Sequence, residues 1–517
     1  RHKLDGNPEQ LLAKLSYDEL GRVQNHKAGN ASVVNTAYGY NVRSWTTGIT
    51  GSKFKEELAY NYDGNISRQK TENNGKTITS DFVYDDLSRL TDATTSGTFG
   101  TDYTTRYAYD KHGNIIHYVK GEGSPREDDL TMEYNGNQIK KAHNSTMNGE
   151  IPTYSDGVNS YAYNANGAMT KDLNKGISSI SYNLLNLPQQ VDVKSPVAEA
   201  RNSYSYSAGG AKLRVVQRYN SNYNTSPVIG STVNLSLMDV TKTTDYVGNK
   251  VFENNALKRI LVDGGYIENG IYYFYETDHL GDNRVVVNQS GSSIQNTDYY
   301  PFGKPMQHSV SAGAQPYKFG GKEYDTMHGL NWSDFSARML DMDIPVFPTS
   351  DPLSEKKPWI SPYIYCSDNP VNRVDPDGKD DYYARLNGEL LAQVKTNQED
   401  RIVAESLPEV VIRPQGPWQQ TNGESSEIAQ YTNINTGERT ASPKVIGLVD
   451  VHPEFDAFAL GAGLASGLSK AAVASTVEKT VAGEVAEGVA AKTGGRLGNA
   501  ATRTQIGEIA TELESRG

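Results

Sequence analysis

A short phrase recurs along the first half of the chain: a tyrosine, then Asp or Asn, then a Gly or Asn within a few residues, then an apolar residue. It is written YDELGRV at Tyr17, YDGNI at Tyr62, YDDLSRL at Tyr84, YDKHGNI at Tyr109, YNGNQI at Tyr134 and YNANGAM at Tyr163, with weaker copies at Tyr182 (YNLLNLP) and Tyr246 (YVGNKV). Residues of alternating polarity lead into each tyrosine, Asp or Asn opens a turn, and Gly or Asn supplies the positive φ of a tight hairpin. In FVYDDLSRL, Phe82 and Tyr84 share a face, Asp85 and Asp86 begin the turn, and Leu87 and Leu90 resume the apolar pattern. One hairpin cannot bury its apolar face alone, so the repeats must stack into a continuous sheet, with insertions where the spacing is uneven. Tyrosine suits this role because it supplies contact area at a modest entropy cost, with its hydroxyl expected at the wet edge. The rival use of such rings is as platforms for sugar, which makes a carbohydrate-binding adhesin the alternative reading.

With 517 residues the chain can hold several domains or one long repeat array. Its formal charge of -12 disfavours a nucleic-acid or anionic-membrane partner for the bulk of the chain. Cys366 is the only cysteine, so no intrachain disulfide can form, and it is expected to be a half-buried thiol. The longest uncharged run near the C-terminus, AFALGAGLASGLS from Ala457 to Ser469, is too short to span a bilayer. The chain opens at Arg1 with neither a methionine nor a signal peptide, and is expected to be a piece of something longer.

The recurring phrases resemble the YD repeats of Rhs proteins, teneurins and the C subunits of Tc toxin complexes, over roughly Tyr17 to Ile267. The resemblance implies a mainly β fold in which a YD-repeat strip winds into a hollow shell. From Tyr272 the chain reads YYFYETDHLGDNRVVVN, DYYPFGKPM, YKFGGKEYD, GLNWSDFSARMLD, SDPLSEKKPWISPYIYCSDNPVN and RVDPDG. This order resembles the Rhs repeat-associated core, as far as Gly378. The expected organisation is a shell over 1–270, the core over 271–379, a linker over 380–455 and the helical start of a C-terminal effector over 456–517.

In the family this core closes the shell and, in many members, acts on its own chain as an aspartyl protease just past DP-x-G. The resemblance places Arg338 at the arginine of the A-R element, Asp351 at the aspartate of DP-L, and Asp375 at the first aspartate of DP-x-G. The residue types suit the chemistry: of two close carboxylates one holds a proton while the other activates water, and a guanidinium orients them. Their sequence separations are far too long for one helix face, so only tertiary structure can assemble them. Taken alone, Asp-Pro and Asp-Gly are turn formers. The chain departs from the family at Met339–Met342, at Ile344–Phe347 and at Lys379. Cleavage is expected near Lys379-Asp380, and a plug without cleavage is the alternative for the core.

The resemblance further implies a secreted or cell-surface toxin of interbacterial competition. Its partners would be its own effector, a secretion apparatus and an immunity protein, and no cofactor is implied. His112 and His117 lack metal-ligand company, the glycine of DPDGKDD comes too early for an EF-hand, and GAGLASG lacks the dinucleotide-binding spacing. Of 33 tyrosines only Tyr382, Tyr383 and Tyr431 follow Gly378, which marks the change of unit. In the last segment Ile506, Ile509, Ala510 and Leu513 share a helical face. RTQIGEIATELESRG resembles the opening helix of a restriction-endonuclease-like toxin domain, without the residues of such an active site.

Overall fold

The computed structural model describes residues 1–3, 9–98, 103–121, 127–146, 149–155, 160–224, 227–309 and 315–384, and the backbone of strands Trp418–Gln420, Tyr431–Asn433 and Arg439–Thr440. Most of the expected linker and all of the expected helical segment lie outside the described residues. Contacts divide the chain into units Arg1–Leu464 and Ala465–Gly517, and every described residue belongs to the first.

The chain is mainly β. Among the described residues, twelve strands from Lys14–Tyr17 to Gln138–Asn144 form one sheet and thirteen from Tyr161–Tyr163 to Ser293–Asn296 form a second. Each strand pairs antiparallel with its sequence neighbour, and the second sheet runs on through residue 270. A small sheet follows, made of Glu323–Asp325, Trp332–Asp334 and Met339–Asp341. Arg373–Val374 then pairs with Tyr382–Tyr383 across the DPDGKDD loop. The helical elements of the described residues are short 3-10 turns, and none is long and apolar enough to cross a membrane.

The recurring phrase works through two hydrogen-bond sets. The Asp or Asn after the tyrosine turns its Oδ1 onto the N–H groups two and four residues on: Asp85 accepts from Leu87 and Arg89 at 3.0 and 2.9 Å, Asp110 from His112 and Asn114 at 2.8 and 2.9 Å, and Asn164 from Asn166 and Ala168 at 3.0 and 2.9 Å. This Asx geometry fixes the turn locally. The tyrosine donates its hydroxyl to a carbonyl of an earlier turn-leaving strand: Tyr60 to Thr46 at 2.7 Å, Tyr84 to Ile66 at 2.8 Å, Tyr134 to Ile115 at 2.7 Å. These bonds tie each of the three repeats to the one before it.

Two sequence expectations change here. These hydroxyls lie on backbone carbonyls and not at a wet edge, because a buried O–H needs a partner and the carbonyl of the preceding repeat is within reach. In YNYDGNI the strand-end tyrosine is Tyr60, not Tyr62. Asn61 N–H bonds to the Asn65 carbonyl at 2.8 Å, the closure that Asp85 makes with Arg89 and Asp110 with Asn114, while Tyr62 is 97% exposed. The DHLG motif proves to be another copy of the turn, since Asp278 Oδ1 accepts from Leu280 and Asp282, each at 3.0 Å.

Alternation divides the strip into an open, charge-paired face and a buried face that is largely apolar. Along Phe54–Tyr60, Phe54, Glu56 and Leu58 are buried, while on the open face Lys55 pairs with Glu72 and Glu57 with Lys70. The apolar face packs against residues of the 298–381 segment, including Phe302, Phe319, Phe335, Phe347 and Tyr365. Late strands also return to early ones. Ala28, Val34 and Phe54 share a core with Ile267, Tyr272, Phe274, Val285 and Val287, and Glu276 accepts from the backbone N–H groups of Ser52, Lys53 and Phe54 at 3.1, 2.9 and 2.8 Å.

Removing one inter-repeat bond should weaken the strip measurably. Tyr134→Phe leaves the Ile115 carbonyl without its hydroxyl partner and is expected to cost about 1 kcal/mol in urea unfolding, against less than about 0.5 kcal/mol for Tyr62→Phe.

Candidate functional site

Arg338 directly precedes strand Met339–Asp341 of the small sheet, Asp351 lies in the irregular segment after that strand, and Asp375 begins the DPDGKDD loop. The fold brings all three together. Arg338 Nη2 lies 3.1 Å from Asp351 Oδ2 and 3.3 Å from Asp375 Oδ2, so one nitrogen serves both carboxylates. Its Nη1 donates to the Pro362 carbonyl at 3.2 Å and its Nε to the Gly378 carbonyl. The guanidinium stacks 3.7 Å over the Phe347 ring. Arg338 and Asp375 are each only 3% exposed, and Asp351 is half-buried.

Asp375 also shapes the loop. Its Oδ1 accepts from the N–H groups of Asp377, Gly378 and Lys379 at 3.3, 2.7 and 3.1 Å. Gly378 sits at φ +78, and a Cβ there would come within 2.9 Å of Arg338 N and of the Phe335 carbonyl, so this position requires glycine. Burial pushes the Asp375 carboxyl up to about 6, against the pull of Arg338 and with a further push from Asp377. Asp351 is also raised, by burial against the opposing effect of Arg338. A pocket of about 20 Å³, close to the room one water needs, is lined by Arg338, Asp351, Asp375 and Lys379 among others. A guanidinium, two carboxylates of raised proton affinity and a water-sized pocket beside a backbone loop are the parts that peptide hydrolysis uses.

Sequence reasoning missed three contributors. Lys322, in FGGKE, donates its Nζ to the Pro376 carbonyl and anchors the loop from below. Phe347 supports the guanidinium, and the Pro362 carbonyl receives both Arg338 and the Asp351 N–H. Only the ordered core motifs in which Lys322 lies could have drawn attention to it. Cys366 is more deeply buried than expected, at 2% exposure, and burial raises its thiol well above the ordinary range.

Among the described residues, one other cluster has metal-ligand residue types: Glu56, Asp278 and His279, all buried. Its histidine has no lone pair to offer. Nδ1 faces Glu56 Oε1 at 2.9 Å and Nε2 faces the Val371 carbonyl at 2.8 Å, both acceptors, so both nitrogens carry protons. Burial opposes that charge, but Glu56 outweighs it and lifts the imidazole to about 9. The cluster is a buried ion pair that ties the strip, the DHLG turn and the segment before Asp375 together.

No family model matches the chain. Its fold resembles that of a Tc toxin shell. The crystal structure of TcdB2-TccC3 superposes with a TM-score of 0.57 at 20% identity, over 73% of this chain and 20% of that one. The Photorhabdus luminescens Tc holotoxin pore gives a TM-score of 0.55 at 19% identity, over 75% of this chain and 20% of that one. In sequence, the chain is 33% identical over 120 residues to Salivary gland surface protein 1 of Aedes aegypti and 31% identical over 123 residues to the tRNA3(Ser)-specific nuclease WapA of Bacillus spizizenii. Each match covers 22% of this chain, but only 3% and 5% of the respective relatives.

Two titrations follow from the geometry. The folded state holds the His279 proton more tightly than the unfolded chain does. Its contribution is therefore full below about pH 6.5 and lost as pH rises through about 9, some 2–3 kcal/mol between pH 7 and 10 that His279→Gln should not lose. Asp375 is likewise raised, so its contribution grows as pH falls. Between pH 7 and 5 the parent should gain about 1 kcal/mol relative to Asp375→Asn in urea unfolding.

Proposed function

We propose that this chain is part of an Rhs-type toxin whose β-strip encloses a C-terminal effector and whose core cuts its own chain once, just past the DPDG turn. The toxin-shell likeness supports the container role, and the WapA similarity supports a toxin setting. The observation that carries the cutting role is Arg338. Its Nη2 holds Asp351 and Asp375 together while its Nε holds a carbonyl of the loop between core and effector. Arg338, Asp351 and Asp375 are the residues assigned to the reaction, which uses no cofactor. The effector inside the shell, a secretion apparatus and an immunity protein are the partners this reading implies, and interbacterial delivery from the secreted protein is its setting.

Reaction at this site is single-turnover by construction. The loop is held on both sides by the same chain, through pairing of Arg373–Val374 with Tyr382–Tyr383 and through ion pairs from Lys356 to Asp380 and from Arg373 to Asp381. An added peptide would have to displace this loop, so turnover of an external substrate is not expected. The adhesin reading needs displayed rings, whereas strand-end tyrosines such as Tyr84, Tyr109 and Tyr134 pack against the core.

The purified chain is expected to yield a C-terminal fragment that begins just past Gly378. Asp351→Asn and Asp375→Asn should each reduce its rate of appearance by at least about a hundredfold on denaturing gels, with circular dichroism unchanged. A parent that stays intact for days between pH 5 and 7 would remove the cutting role and leave the core as a plug.

A further inference from the structure

A separate cavity of about 450 Å³ lies between strands of the second sheet and the 305–339 segment, and none of Arg338, Asp351 and Asp375 lines it. That volume falls in the range of small-molecule sites. Most of its charged groups are matched. Lys212 Nζ pairs with Glu323 and Asp334 at 2.8 and 2.6 Å, Arg259 Nε with Glu268 at 2.7 Å, and Lys242 Nζ with Glu253 at 3.7 Å. Lys318 is the exception: it is only 3% exposed, and its Nζ has no hydrogen-bond partner among the described residues. Its backbone is pinned on both sides, since Lys318 N–H bonds to the Lys322 carbonyl at 2.8 Å and its own carbonyl accepts from Asn283 N–H at 3.1 Å. An amine buried without an acceptor is costly, and burial together with the nearby Arg259 guanidinium pushes this one down to about 7. Around it the walls are largely aromatic, with Tyr204, Tyr246, Tyr317, Tyr324 and Trp332.

We infer that this cavity binds a small aromatic monocarboxylate, with the carboxylate lying between Lys318 Nζ and the Arg259 guanidinium and the ring among the aromatic walls. The site is independent of any cutting by the core. A carboxylate supplies the acceptor that Lys318 lacks, and the ammonium it restores makes a charge-assisted bond in a place shielded from water. Arg259 adds a second positive charge to the same end of the cavity. Asp325 also lines the space and accepts from two neutral donors, the Met327 N–H at 2.9 Å and Gln217 Nε2 at 3.4 Å. It can therefore take a hydroxyl carried by the ring. A doubly charged anion such as phosphate is disfavoured, because Glu323, Asp325 and Asp334 border the same cavity and repel the second charge.

The probe is 4-hydroxyphenylacetate, titrated into the purified full chain by calorimetry, with 4-hydroxybenzyl alcohol as the uncharged control. The acid is expected to bind with a Kd of about 1 mM or below, and the alcohol at least tenfold more weakly. At pH 8, where Lys318 is mostly neutral, binding should take up close to one proton, read from the heat in buffers of different ionisation enthalpy. Affinity should fall about tenfold from pH 7 to 8.5. Asp325, raised by burial to about 6, and Lys212, held well above its ordinary range by Asp334 and Glu323 against burial, keep their charges across that window. Lys318→Met should weaken the acid at least tenfold and abolish the proton uptake. Its urea midpoint should not fall, because the substitution removes an unpartnered buried amine, so lost binding is not lost folding. No saturable binding of the acid, equal affinity for the alcohol, or unchanged binding in Lys318→Met would each overturn the site.

Discussion

The structure depends on an Asp or Asn side chain that satisfies two backbone amides of its own turn, and on the neighbouring tyrosine whose hydroxyl reaches the preceding repeat. The first bond makes the turn local and cheap in entropy, since Asp85, Asp110 and Asn164 need nothing beyond four residues of chain. The second makes the stack directional, because Tyr84 or Tyr134 can place its hydroxyl only on the strand already laid down. Strand order therefore follows sequence order, and long-range pairing is never required to start the sheet. Everything else is mounted on that strip.

What closes the arrangement is a small number of buried charges. Glu276 receives three amides of an early turn, and His279 bridges Glu56 and the Val371 carbonyl as a doubly protonated ring. Such groups are costly to bury unless paired and hydrogen-bonded, as Glu276 and His279 are. They lie in or next to the DHLG motif, whose aspartate repeats the turn while its histidine reaches across to the core. The same segment thus ends the repeat language and begins the candidate site. Arg338 follows the same rule: every nitrogen of the guanidinium has an acceptor, and its face lies on Phe347.

Two stretches where the chain differs from the motif order it resembles have a physical reading. Phe347, in the stretch where the sequence differs, supplies the ring on which Arg338 lies. Lys379 contributes its backbone amide to Asp375 and directs its ammonium to Asp377 at 3.3 Å. Phe347 and Lys379 both leave the contacts between the guanidinium and the two carboxylates in place.

The sequence by itself determined the repeat, the antiparallel order and the residue types at Arg338, Asp351 and Asp375, because turns and alternation are written in neighbouring residues. It could not tell Tyr60 from Tyr62 as the strand end, since both precede Asp or Asn and only the closure of Asn61 on Asn65 separates them. Nor could it place the tyrosine hydroxyls, whose partners belong to other repeats. Tertiary structure alone decided that one arginine nitrogen would meet two aspartates and that its Nε would fall on the Gly378 carbonyl. Residues so far apart in the chain converge only when the strip and the segment packed on it are both in place, and a local pattern carries no record of that distance.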